Sequence, residues 1–417
     1  MNKISLYKKN YYLIFKSSLL LLFIASLFSP LIIKDYIDIE QNNFFINIFA
    51  ERTLSFILQI FLTFIYFLEN IKNKFKIKIV DSNKYILIIF SYSIINLLLF
   101  RDALFIFSTT YYFKYFLQIA FMIFLTNEFL NNKKILKLSV IIYFIFSLIL
   151  SLFLITDSFT LMNEESGRIS LIGWKENDLS LYFSFAYSIL ISYLADFKSI
   201  KNKYFFILLI SCSLIFIKAV ILTGTRAGLF SIILTNLLLL FSLLLNKFNF
   251  FKKSIIIFSN CIFIILNTIN NTSINDRVFV DNFNTAGGRL VHWLLALKIT
   301  NNNPLFGVGL ENYQKLSLLE IGIWDPQNIF IELYTINGII PILIILILIA
   351  SAIYKSFIFL KKSALSSHSI LLIPILIHIS LFNLWNYKVF FLFLSIYLCN
   401  SEYIDLKFKS LKKISQK

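Results

Sequence analysis

Long apolar runs recur along nearly the whole of this chain, and that repetition constrains its fold more than any other feature. A run of about 18 or more apolar residues is long enough to cross a hydrocarbon layer as a helix. The runs predict about twelve spans, at 12–33, 52–70, 85–100, 103–126, 138–156, 178–196, 204–222, 228–245, 254–269, 328–354, 364–382 and 387–400. In lipid each backbone polar group must find its partner within the segment, so the expected class is all-α, a polytopic integral membrane protein with residues 1–417 in a single membrane domain. Composition agrees: 58% of the 417 residues are apolar, with 48 Phe against 10 Gly and 5 Pro. A soluble enzyme, a secreted disulfide scaffold and a disordered chain are thereby excluded. The apolar run near the N-terminus reads as a retained first helix rather than a signal peptide, because many more spans follow it.

The net charge of +17 would suggest nucleic acid in a soluble protein. Here it reads as orientation. Lysines cluster at alternate connections, at Lys3/Lys8/Lys9, Lys72 to Lys84, Lys133/Lys134/Lys137, Lys198/Lys201/Lys203, Lys247/Lys252/Lys253, Lys355/Lys361/Lys362 and Lys407 to Lys417. The positive-inside rule makes all of these cytoplasmic, with both termini inside and no nucleic-acid partner implied. Three substantial connections then face outward, at about 34–51, 157–177 and 270–327, the last a large outer loop expected to carry short helices. Inner loops are short, and no GxxxxGK[ST] occurs, so a nucleotide cofactor has no P-loop to bind it. The three histidines (His292, His368, His378) and three cysteines lack metal-ligand spacing, so neither a metal nor another cofactor is expected.

Only six of the 39 basic residues are arginine: Arg52, Arg101, Arg168, Arg226, Arg277 and Arg289. All six fall on the outer side, whereas every cation assigned to the inner side is lysine. A planar guanidinium matches phosphate or carboxylate with two parallel hydrogen bonds, which a diffuse inside charge does not require. Arg226 sits in Thr223-Gly224-Thr225-Arg226-Ala227-Gly228, a very short turn between long apolar runs, where the threonines can cap the next helix and the arginine can meet a headgroup-level anion. Arg289 follows Gly287-Gly288 and opens a helical pattern in which His292 lies three residues on, on the same face. Lys114 falls near mid-span, and Lys218 about one turn below the Thr223 turn.

Four ordered segments resemble the O-antigen ligase and polymerase superfamily of bacterial glycosyltransferases. They are Gly167-Arg168-Ile169-Ser170 through Trp174-Lys175-Glu176-Asn177-Asp178; the Thr-Gly-Thr-Arg226-Ala-Gly turn; Gly288-Arg289 with Trp293 and Ala296, then Asn303-Pro304-Leu305-Phe306-Gly307-Val308-Gly309 and Tyr313; and Pro326-Gln327-Asn328 ahead of an apolar helix with Gly338. The resemblance covers about 160–345 as a ligase-like core, and the remainder by topology. It implies a metal-independent, inverting transferase in the bacterial cytoplasmic membrane. The donor would be an undecaprenyl-pyrophosphate-linked saccharide at the outer face, the acceptor a lipid or glycan, and the surroundings membrane lipid. Arg226 and Arg289 would hold the pyrophosphate, with Arg168, Lys114, Lys218 and His292 as weaker contacts.

The departure lies at Gln327, where the family carries a histidine associated with activating the acceptor. A glutamine orients a sugar but takes up no proton at neutral pH. The chain is then a divergent polymerase, or Asp325 or Glu332 substitutes, or activity is weak or lost. The family's later glycine is Pro341, which is expected to kink the tenth span. A transporter or flippase of lipid-linked oligosaccharide is the alternative reading, since it too needs cations near headgroups.

Overall fold

A computed structural model describes residues 3–27, 53–72, 84, 87–89, 91–92, 105–158, 160–163, 168–171, 175–196, 203–245, 250–269, 289–309, 312–313, 315–317, 328–362, 366–381, 390–399 and 401. Among these the architecture is helical. In chain order the elements are α1 (Lys3–Ser26), α2 (Thr53–Lys72), α3 (Phe105–Asn131), α4 (Lys133–Ile155), β1 (Thr160–Asn163), β2 (Arg168–Leu171), α5 (Glu176–Asp196), α6 (Lys203–Leu222), α7 (Arg226–Leu245), α8 (Phe250–Ile269), α9 (Arg289–Thr300), α10 (Ile329–Asn337), α11 (Ile339–Lys362) and α12 (Ser366–Leu381). A further apolar helix, α13, spans Phe390–Cys399. Among the described residues five helices are long and apolar enough to cross a membrane: Lys133–Ile155, Lys203–Leu222, Arg226–Leu244, Phe250–Asn267 and Ile339–Ile358. Their outward faces carry large exposed apolar side chains such as Ile145, Leu208, Leu237, Phe258 and Ile347. A helix bundle that is apolar inside and out is suited to lipid rather than water, so the protein is membrane-embedded.

The hub of the bundle is α5. It packs against α4, α6, α7 and α12, and every residue from Leu179 to Ser192 is buried. Hydropathy alone underrates this helix because serines recur at every fourth position, at Ser180, Ser184, Ser188 and Ser192, all buried. Small hydroxylated residues let neighbouring backbones approach closely, and their O–H groups find partners across the contact. Ser184 Oγ lies 2.9 Å from His378 Nε2 of α12, and Ser188 Oγ lies 3.5 Å from Thr235 Oγ1 of α7. At the middle of the bundle Tyr187 Oη accepts from Asn236 Nδ2 of α7 (2.7 Å) and Asn260 Nδ2 of α8 (2.9 Å), while Ser213 of α6 donates to Asn260 Oδ1 (3.0 Å). Four helices are thus joined at mid-length by one polar node.

Lys16 is more than an orientation charge. It is 4% exposed and bridges Glu69 of α2 and Glu128 of α3, at 2.6 Å each, with its ammonium 5.3 Å from the Phe124 ring centroid. A buried lysine is tolerated only when paired in this way.

Three local expectations are corrected. The segment 157–177, expected as a loop, contains two antiparallel strands paired in register Thr160↔Leu171 to Asn163↔Arg168, and β2 rests on α4 and α5. Four-residue strands among polar neighbours leave little periodicity to detect. The tenth apolar run is two helices, divided at Gly338 (φ 80°). Pro341 produces no kink, because it falls in the first turn of α11, where its missing N–H has no helical acceptor to lose. The expected span at 85–100 lies largely outside the described residues.

Candidate functional site

Both arginines of chief interest are the first residues of helices. Arg226 opens α7 and Arg289 opens α9. A helix N-terminus presents unsatisfied N–H groups and about half a positive charge, which disfavours a cation and favours an anion. A guanidinium placed there is best matched when an anion joins both, so each position has the makings of a phosphate site.

The turn before Arg226 is firmly built. Thr223 N–H donates to Ala219 O (3.1 Å), Gly224 N–H to Ile221 O (2.9 Å), and Gly224 takes φ 60°. The threonine hydroxyls, however, do not cap α7 as expected. Thr223 Oγ1 donates to Val220 O at 2.7 Å, and Thr225 Oγ1 donates to Ser180 Oγ of α5 in a short contact. Thr223, Gly224 and Thr225 are buried while Arg226 is half-buried, so the guanidinium stem leaves a buried anchor. Asp178, 5% exposed in the first turn of α5, lies two residues before Ser180 on this same end of the bundle. Sequence reasoning quoted Asp178 only as part of a motif; its acidic first-turn position was the available clue.

Asn328 caps α10, accepting from Phe330 N–H (2.9 Å) and Ile331 N–H (3.2 Å), and its amide donates to Ser380 O of α12 (2.9 Å). Glu332 follows in the first turn, 2% exposed. Gln327 and Asp325 lie outside the described residues. The Asn303 to Gly309 turn clasps the other end of α10: Val308 N–H donates to Thr335 O (2.8 Å), Gly309 N–H to Ile336 O (3.1 Å) and Ile339 N–H to Pro304 O (3.0 Å). Leu295, Ala296, Ile299, Val308 and Tyr313 form a separate small core there, with Ile331 packed against it.

These contacts join segments that are far apart in sequence. Thr225, just before α7, reaches Ser180; one turn along α5, Ser184 reaches His378 of α12; two residues on, Ser380 receives Asn328, the cap of α10; and α10 carries α9 with its turn. The sequence picked out the four segments but not α12, the helix that links them.

The remaining candidates divide. Lys218 Nζ donates to Asn267 Oδ1 of α8 at 3.0 Å, so a structural partner accounts for it. His292 is half-buried on α9, and its Nδ1 makes no hydrogen bond among the described residues. Arg168 opens β2 and pairs across the hairpin with Asn163, and Lys114 lies in α3; only the backbones of these two, and of Arg289, are described. Among the described residues no group of three His, Cys, Asp or Glu converges to hold a metal.

Fold and site together define a helical membrane protein with cation-headed helices. No protein-family model matches the chain, and neither the curated proteins nor the solved structures contain a match to it.

Proposed function

We propose that the protein is a membrane glycosyltransferase of the O-antigen ligase and polymerase type. It acts at the outer face of a bacterial cytoplasmic membrane, spans that membrane about twelve times and keeps both termini inside. The observation that carries this reading is the placement of Arg226 and Arg289 at helix N-termini, in segments tied together through α12.

In this reading the bond between the anomeric carbon and the pyrophosphate oxygen breaks, and the acceptor hydroxyl oxygen forms the new bond from the opposite side. Negative charge grows on the departing pyrophosphate. Two guanidinium groups, each reinforced by a helix terminus, oppose that charge most strongly in the transition state. The acceptor's proton passes to a carboxylate, and Glu332, buried one turn beyond Asn328, takes the role that the family gives to histidine. Gln327 is left to orient the sugar.

Arg226→Ala and Arg289→Ala, each expressed in the native host, test the proposal. Long-chain surface polysaccharide, resolved by size, should be lost while the protein still reaches the membrane. Normal polysaccharide in both variants would overturn it.

A further inference from the structure

Beyond α9 the chain forms a cleft of about 510 Å³, lined by Lys298, Ile299, Asn302, Asn303, Asn312 and Lys315, with Val308 and Leu316 completing its floor. We propose that this cleft binds an anionic saccharide, so that the glycan handled by the enzyme carries a carboxylate or phosphate on its sugars. The inference rests on the glycosyltransferase reading for its biological meaning, but the cleft's chemistry stands on its own.

Three features carry it. The cleft's volume falls in the range of small-molecule sites and would admit a short oligosaccharide. Its polar groups are two ammonium groups and three carboxamides; amides donate to and accept from sugar hydroxyls, and ammonium groups select an anion. No carboxylate lines it among the described residues. Its floor of Ile299, Val308 and Leu316 suits the C–H face of a pyranose. The Asn312 amide is also fixed in place, its Nδ2 donating to Val308 O at 3.0 Å, and the backbone that carries Asn303 is held by Gly307 N–H, which donates to the Asn303 carbonyl at 2.8 Å.

Arg289 and Lys298 begin and nearly end the same helix, separated along its axis by about 13 Å but on opposite faces, because the nine-residue interval makes about two and a half turns. The cleft is therefore a site apart from the Arg289 helix start. Lys298 also favours its own helix end electrostatically. Lys315 comes from a different segment, and the two ammonium groups line one cleft.

The test uses the purified full chain in lipid nanodiscs. Calorimetry would compare a glucuronic acid tetrasaccharide, a neutral glucose tetrasaccharide of the same length, and glucose 6-phosphate. The acidic tetrasaccharide should bind roughly tenfold tighter than the neutral one, and added salt should narrow the difference. Lys298→Gln combined with Lys315→Gln should remove the preference, while Lys298→Arg with Lys315→Arg keeps it and controls for folding. Binding of the sugar phosphate alone would assign the anion to phosphate instead of carboxylate. Equal binding of acidic and neutral glycans, or a preference that survives the double glutamine variant, overturns the proposal. If Arg226 and Arg289 prove dispensable for polysaccharide yet the lysine-dependent preference remains, the transferase reading fails and the cleft stands.

Discussion

Gly228 of α7 lies directly against Ser180 of α5, in a space so small that a Cβ at 228 would meet the Ser180 hydroxyl and approach Val220 Cγ1 to 2.8 Å. The contact sits within the first turn of the helix that Arg226 opens, and Thr225 bonds the same Ser180 hydroxyl. The arginine's position is therefore set by how closely two helices touch.

Gly228→Val should destabilise the protein by about 1–3 kcal/mol, the usual cost of overpacking, and displace Arg226 with it. Thermal unfolding in detergent reads the first effect, and the size distribution of surface polysaccharide in the host, the readout of the proposed function, reads the second. Ser180→Ala in the Gly228→Ala background should recover part of the loss, whereas the same change alone should cost stability. Purely additive effects in this cycle would contradict the direct contact.

Lys16 is buried between two carboxylates. Lys16→Ala should cost about 3–5 kcal/mol, because it leaves Glu69 and Glu128 facing each other without a cation. Replacing all three by apolar residues of similar volume should be far milder. Chemical unfolding of the single and triple variants separates the two outcomes.

The node at Tyr187 predicts a smaller effect. Tyr187→Phe removes the acceptor shared by Asn236 and Asn260, and hydrogen bonds between membrane helices average about 0.6 kcal/mol with a maximum near 1.7. A loss of about 1–2 kcal/mol is expected, with activity retained at temperatures well below unfolding.

Glu332→Gln should abolish transfer while leaving donor binding intact, since the change removes a proton acceptor but alters the volume little. Single-turnover assays with a lipid-linked donor, alongside a binding measurement, check this. If the glutamine variant transfers at the wild-type rate, the base lies elsewhere.

Much of the helical framework was legible because lipid-spanning helices announce themselves as long apolar runs. The helix starts at Arg226 and Arg289 were legible too, since glycine and threonine before a run mark where a backbone turns. What escaped was tertiary. The role of Lys16 could not be read from its own segment, because its partners are 53 and 112 residues away. The division at Gly338 did carry a signal, the turn-prone pair Asn337-Gly338 with Pro341 shortly after, but the long apolar runs around it outweighed that signal, and the turn pressed against the helix there is distant in sequence. The cleft at Lys298 and Lys315 was equally hidden, because asparagine and lysine are among the commonest polar residues of this chain and draw no notice individually.

Gly307 and Gly338, at φ 73° and 80°, each fill the space that the other's neighbours leave: a Cβ at 307 would reach Gly338 N at 2.7 Å, and one at 338 would run into Leu305 and Phe306. Neither can acquire a side chain first while the other waits. Glycine codons begin with two guanines, and a sequence this rich in Ile, Phe, Asn and Lys points to a genome under steady pressure toward adenine and thymine. Against that drift the pair can survive only by selection. Gene variants collected from natural isolates should therefore be depleted in coding changes at both positions together, even where the surrounding lipid-facing residues interchange freely.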